Sequence, residues 1–133
     1  MFSRFRVFEF RLYKDYESLK EGSVADCLTD LTAGIPERYH LKQLVCYKNP
    51  DTRTMVFDVI AEALSHGSFV NLTIKPDRPS QLGVSTPKGL IIGRGYAVLE
   101  AKNVTSTSGA NHQLLKIFNA WSDLSWSGAW SNA

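Results

Sequence analysis

LIIGRGYAVLEA, Leu90 to Ala101, reads as one long strand interrupted by two glycines, and HQLLKIFNAW, His112 to Trp121, reads as a strand returning from it. Between them NVTSTSGAN, Asn103 to Asn111, is polar and rich in turn formers. The pair predicts a β-hairpin with a long loop, in which Gly93 and Gly95 mark a bulge or a close approach of backbone. Working outward, Ser68 to Ile74 alternates Val70, Leu72 and Ile74 with polar neighbours, the period of a half-buried strand. Upstream, Met55, Val56, Val59, Ile60, Ala63 and Leu64 recur at helical spacing after an Asn49-Pro50-Asp51 turn. They predict a helix of about three turns, capped by Asp51 or Thr52 and closed by Gly67. A loop rich in Pro and Ser separates the Ser68–Ile74 strand from the hairpin.

In the first part of the chain, Phe5, Phe8, Leu12, Tyr16 and Leu19 fall on one stripe of a helix that Gly22 stops. Ser23 then caps a short second helix in which Val24, Cys27, Leu28 and Leu31 share a face and Gly34 ends the run. On that face Cys27 is expected in the core. Arg38 to Tyr47 reads as a further strand. The fold class is therefore α+β, with helices gathered in the first half, an antiparallel β-sheet in the second, and one packed helix.

Composition narrows the function. The chain has 133 residues, enough for one domain with a sizeable core, and 44% hydrophobic with 21% charged residues is ordinary for a folded protein. The net charge of +2 arises from interspersed residues, not a block, and so gives no argument for a nucleic-acid or anionic-membrane partner. The opening MFSRFRVFEFRLY carries Arg4, Arg6, Glu9 and Arg11 where a signal peptide or membrane span needs an uncharged run. Cys27 and Cys46 match no metal spacing and no disulfide framework, which points to a reduced, cytoplasmic setting.

Four stretches, in order, resemble the protease core of the calpains, the calcium-dependent papain-like cysteine proteases. LYKDYESLKEGSVADCLTDLTAGIPE, Leu12 to Glu37, is similar to the tyrosine-rich helix and D-[FL]-T-G-G segment that join the two halves of that core. EALSHGSFVNLTI, Glu62 to Ile74, resembles A-L-x-x-G-S-L, and GLIIGRGYAVLEA, Gly89 to Ala101, resembles G-L-x-x-G-H-A-Y-S-V. FNAWSDLSWSGAWS, Phe118 to Ser131, resembles R-N-P-W-G-x-x-E-W-x-G-x-W-S. The resemblance implies a papain-like half-domain. Residues 1–34 correspond to the tail of the first lobe, and 35–133 to the second lobe, the one that carries histidine and asparagine in the family.

On that alignment Asn119 keeps the family's asparagine, Trp121 its shielding tryptophan, and Arg94 occupies the histidine position. The upstream Q-G-x-x-G-D-C-W motif has no counterpart, since Ala25-Asp26-Cys27 falls inside the linker match. Ala120, Ser122, Ser125 and Gly95 depart from the family's proline, glycine, acidic residue and alanine. A cysteine protease needs an imidazole that takes the thiol proton and returns it to the leaving amine. A guanidinium has five donors and no acceptor and stays protonated, so it cannot serve as that base. His40 and His112 lie in segments matched elsewhere and His66 in the helix-ending loop, and each is expected to be structural or solvent-facing. Trp126 and Trp130 are expected to staple the terminal loop to the sheet.

The expected function is that of a non-catalytic calpain-like lobe, a pseudoprotease that binds a protein partner or self-associates. No cofactor is expected: calcium belongs to the family, but its loop on this lobe follows the tryptophan segment. Two alternatives are a protease lobe completed by a separately encoded cysteine lobe, and a small β-rich module binding peptide or sugar on its tryptophans. Phe2, Phe5, Phe8 and Phe10 are the expected contact for association.

Overall fold

The computed structural model describes residues 23–41, 49–120 and 126–131. The helix expected around Leu12 to Leu19, the Phe2–Phe10 segment, Cys46 and Trp121 lie outside the described residues. Contacts divide the chain into two compact units, Met1–Tyr39 and His40–Ala133.

In the first unit, α1 spans Val24–Thr32 with Ser23 as its extended N-cap residue. The Ser23 side chain makes no capping bond to the helix and instead accepts from Arg38 Nη2 at 2.9 Å. Arg38 also reaches Asp26 at 2.8 Å, so the extended segment after the helix folds back to its first turn. Termination comes one residue earlier than expected: Ala33, not Gly34, takes the left-handed conformation (φ 54°) and donates to Thr29 O at 2.7 Å. Cys27 is half-buried, not core, and α1 contains no buried residue. Helical spacing defines which side chains share a face, but not whether another element covers that face. The Tyr39 hydroxyl donates to the Glu37 carboxylate at 2.7 Å, which raises its pKa above the ordinary tyrosine value. Residues 38–41 form no strand, and the rest of the stretch expected to be one lies outside the described residues.

The second unit is a helix on a three-stranded sheet. Helix α2, Pro50–Ser65, starts earlier than the sequence suggests, because Asn49 is the cap and its side chain accepts the Asp51 N–H. Pro50 then sits where a missing N–H costs nothing. At the other end Gly67 (φ 77°) turns the chain into β1, Val70–Thr73. A 3₁₀ turn, Pro79–Gln81, interrupts the following loop, and the hairpin strands β2, Gly95–Thr105, and β3, Asn111–Phe118, complete an antiparallel sheet of order β1-β2-β3.

The register puts Val70 opposite Val98, Leu72 opposite Tyr96, and Val98 opposite Ile117, all on the face toward α2. Among the described residues, Phe57 from α2 with Tyr96 and Val98 from β2 form the buried core. Phe57 was not among the expected core positions, whereas Met55 (55% exposed) and Val59 (37%) were and look outward. The bulge is also displaced from its expected place. It lies between Val98 and Glu100, not at Gly93 or Gly95, and Leu99 is its extra residue. Leu90 to Arg94 lie outside β2, and the connection between β2 and β3 is shorter than expected, because pairing continues out to Thr105↔Asn111.

Past the bulge, Glu100, Lys102 and Lys116 share the sheet's outer face, with Glu100 directly opposite Lys116 and 2.8 Å from Lys102 Nζ. The hydrogen bond from Lys102 holds the Glu100 carboxyl below the ordinary carboxylate value. Its folded pKa being depressed, the associated stabilisation is present above the unfolded value and is lost as pH falls through the folded one. An NMR titration is expected to find the Glu100 midpoint below that of a free glutamate, with Lys102→Ala moving it back up. An unchanged midpoint in that variant would contradict the assignment.

Candidate functional site

The site is built at one end of the hairpin. Gly83 N–H donates to Ile92 O at 3.0 Å and Ile92 N–H to Val84 O at 2.9 Å, so residues 83–92 form a small loop of their own. Gly93 ends it at φ 79° and donates to Ile74 O at 2.8 Å, which ties the turn to the end of β1. The buried Tyr96 hydroxyl accepts the Ile91 N–H at 2.6 Å, a second tie from within the core. Here the close approach expected at Gly93 is found: a Cβ would collide with the Leu82 side chain.

These ties fix Arg94 immediately before β2, where it is exposed, while Asn119 immediately follows β3 and is half-buried. Because β2 and β3 run antiparallel, the start of one and the end of the other meet at the same end of the sheet. Arg94 and Asn119 therefore stand at one edge, and Trp121 lies outside the described residues. Among the described residues no three His, Cys, Asp or Glu side chains gather to hold a metal ion.

The tryptophan segment is held to the unit at two residues, Lys88 and His112. Trp126 Nε1 donates to Ala129 O at 2.8 Å, its ring lies against Gly128, and Lys88 Nζ sits 5.3 Å from the ring centre. Ser127 N–H donates to Lys88 O at 3.1 Å, so the loop preceding Arg94 and the loop following Asn119 are joined through one lysine. Trp130, with φ 63°, tilts against His112 of β3 at 5.4 Å between ring centres. Both rings hold the loop, as large flat side chains do. His66 is exposed, its Nδ1 2.9 Å from Glu62 O, and His40 is exposed.

Two features had no sequence signal. One is an open groove of about 510 Å³ between α2 and β3, lined by Pro50, Arg53, Phe57, Ile60, Gln113 and Leu115. It lies along β3 toward the turn, away from Arg94. The other is the outer face of the sheet, where Leu99 and Phe118 are exposed. Strand alternation predicts that some residues face outward, but not that large apolar ones do.

An α+β unit with a Gly-Arg-Gly-Tyr turn and an asparagine at one sheet edge has the architecture of a papain-like cysteine-protease lobe. Residues 10–133 match the calpain family of cysteine proteases, and the chain belongs to that family. It is 30% identical to calpain-9 of Homo sapiens over 123 residues and 30% identical to calpain-B of Drosophila melanogaster over 128, each alignment covering 92% of this chain. It is 34% identical to the calpain-1 catalytic subunit of Gallus gallus over 117 residues, 88% of this chain. The chain spans only 13–16% of the length of these relatives.

Proposed function

We propose that this chain is a non-catalytic protease-core lobe that acts through protein association. Its residues 35–133 would correspond to the second lobe of the calpain core and 1–34 to the tail of the first, in a cytoplasmic setting. One observation carries the reading: Arg94 stands in the Gly-x-Gly-Tyr turn where the family has histidine. A guanidinium cannot accept the thiol proton or return one to a leaving amine at neutral pH. Asn119 and Trp121 would then be retained parts of an orienting apparatus without its imidazole. The reading in which a separate cysteine lobe completes a protease meets the same obstacle. A stacking module for sugar or peptide would need a row of exposed rings; among the described residues Trp126 is half-buried and engaged with Ala129 and Lys88, which leaves Trp130, 55% exposed against His112, as a single open indole.

Incubation with unstructured casein, with and without calcium, is expected to give no cleavage. Cleavage that disappears in a Cys27→Ala, Cys46→Ala double variant would overturn the reading, because it would make one of those thiols a nucleophile.

A further inference from the structure

Basic and acidic residues are interspersed along the chain, but the fold gathers them unevenly. The connection from β1 to β2, residues 74–94, carries Lys75, Arg78, Lys88 and Arg94 against Asp77 alone, a net charge of +3 where the whole chain has +2. Helix α2 is the reverse, with Asp51, Asp58 and Glu62 against Arg53. All four cations of the connection are exposed. Because β1 and β3 both run antiparallel to β2, the connection crowns the same end of the sheet as Asn119. We propose that it is a docking surface for an acidic, extended segment of a protein partner, with Arg94 at its base.

The backbone beneath each cation is pinned. The Gly93 N–H bond to Ile74 O leaves Lys75 and Arg94 each one residue from a bonded pair. Gln81 Oε1 accepts the N–H groups of Asp77 and Arg78 at 2.8 and 3.2 Å, and the Leu82 side chain next to Gly93 sets this turn against the base. Lys88 lies at the tip of the small hairpin, closed by Thr86 N–H to Leu90 O at 2.6 Å and Gly89 N–H to Thr86 O at 3.0 Å, with its ammonium over the Trp126 ring. Among the described residues neither Lys75 nor Arg78 pairs with a carboxylate. Cations on a pinned backbone lose less freedom when a ligand arrives than cations on a flexible tail. That separates this connection from an ordinary solvated charge run.

Size and chemistry select the ligand. From Lys88 back to Ile92 is about 13 Å of strand, so with the base the cations span on the order of 15–20 Å, about five or six residues of extended chain. Leu82 and Val84 lie between Arg78 and Lys88 and are 63% and 49% exposed, which adds apolar contact to the charge. A segment that carries both carboxylates and apolar side chains complements such a surface. Single-stranded nucleic acid is held by rings on which its bases stack, and residues 74–94 contain no aromatic side chain.

This inference names the partner's chemistry for the association reading above and rests on it. The casein assay tests the absence of peptidase activity alone, so the two fail separately. The probe is a labelled peptide of about ten residues, long enough to cover the patch, with glutamates interspersed among leucines. Fluorescence anisotropy with the full chain is expected to show saturable binding that weakens by about tenfold or more as salt rises from about 50 to 300 mM, because exposed charges are screened. Lys75→Gln, Arg78→Gln and Arg94→Gln are each expected to raise the dissociation constant by about threefold or more with the melting transition in place, whereas Lys102→Gln, the same charge change on the outer face of the sheet, leaves it within about 1.5-fold. The peptide with glutamine in place of glutamate is expected not to bind. No binding of the acidic peptide, or equal losses in Lys102→Gln and the connection variants, would overturn the proposal. Tighter binding of a single-stranded oligonucleotide or of phosphatidylserine vesicles than of the peptide would also overturn it, by assigning the patch to another polyanion.

Discussion

Tyr96→Ala is expected to destabilise the second unit by about 3–5 kcal/mol, the cost of truncating a buried aromatic side chain. Tyr96 is the most buried of the described core residues at 2% exposure, and it sits in the central strand, opposite Leu72 of β1 and against α2. Domains of this size have a total stability of about 5–15 kcal/mol, so the variant would lie close to unfolding at 37 °C. Tyr96→Phe keeps the ring and removes only the acceptor for the Ile91 N–H, a bond whose net contribution is about 0.5–1.5 kcal/mol. The two variants therefore separate packing from anchoring. Urea unfolding measures both, and amide exchange at Ile91 should quicken in Tyr96→Phe with the sheet amides unchanged. If Tyr96→Phe cost as much as Tyr96→Ala, the hydroxyl rather than the ring would carry the effect, and the core as described would be wrong.

What the sequence disclosed about this unit follows from how local each signal is. The alternation Val70, Leu72, Ile74 and the returning run before Asn119 are period-two patterns, and both strands are present. The helix at Pro50–Ser65 was legible too, but its face was misread in part: Val56, Ile60, Ala63 and Leu64 are half-buried as expected, whereas Met55 and Val59 look outward. Apolar residues cover more than half of the helix surface, and only packing on the sheet decides that Phe57 goes inward. The cap moved to Asn49 because its side chain bonds to Asp51 N–H in preference to a later start. The bulge had no sequence mark: it falls at Val98–Glu100, where it keeps Ala101 and Leu115 paired after the strand shifts phase. The site was legible only as far as its motif. Gly93, Arg94 and Asn119 could be placed from the pattern of glycines and tryptophans, whereas Lys88 beneath Trp126 and Tyr96 beneath Ile91 are contacts between separate segments that no spacing announces.

Gly93 is where backbone conformation and the site meet, and substitutions there are expected to rank by tolerance of positive φ rather than by size. At φ 79° an L-residue pays about 1–2 kcal/mol, and a β-branched one up to about 3 kcal/mol. Gly93 cannot relax away from this angle without giving up its bond to Ile74 O. The other obstacle is the Leu82 side chain, which a Cβ would meet, but Leu82 is 63% exposed and can swing into solvent. Backbone strain should therefore dominate, giving Gly93→Asn the smallest loss, Gly93→Ala more and Gly93→Val the most, since asparagine is the side chain that best accepts this region. Leu82→Ala decides between the two causes. If strain dominates, Gly93→Ala costs the same with or without Leu82, and the two substitutions add in urea unfolding. If the penalty largely vanishes in the Leu82→Ala background, collision was the cause, and the left-handed turn that delivers Arg94 to the sheet edge would be held by something other than this glycine.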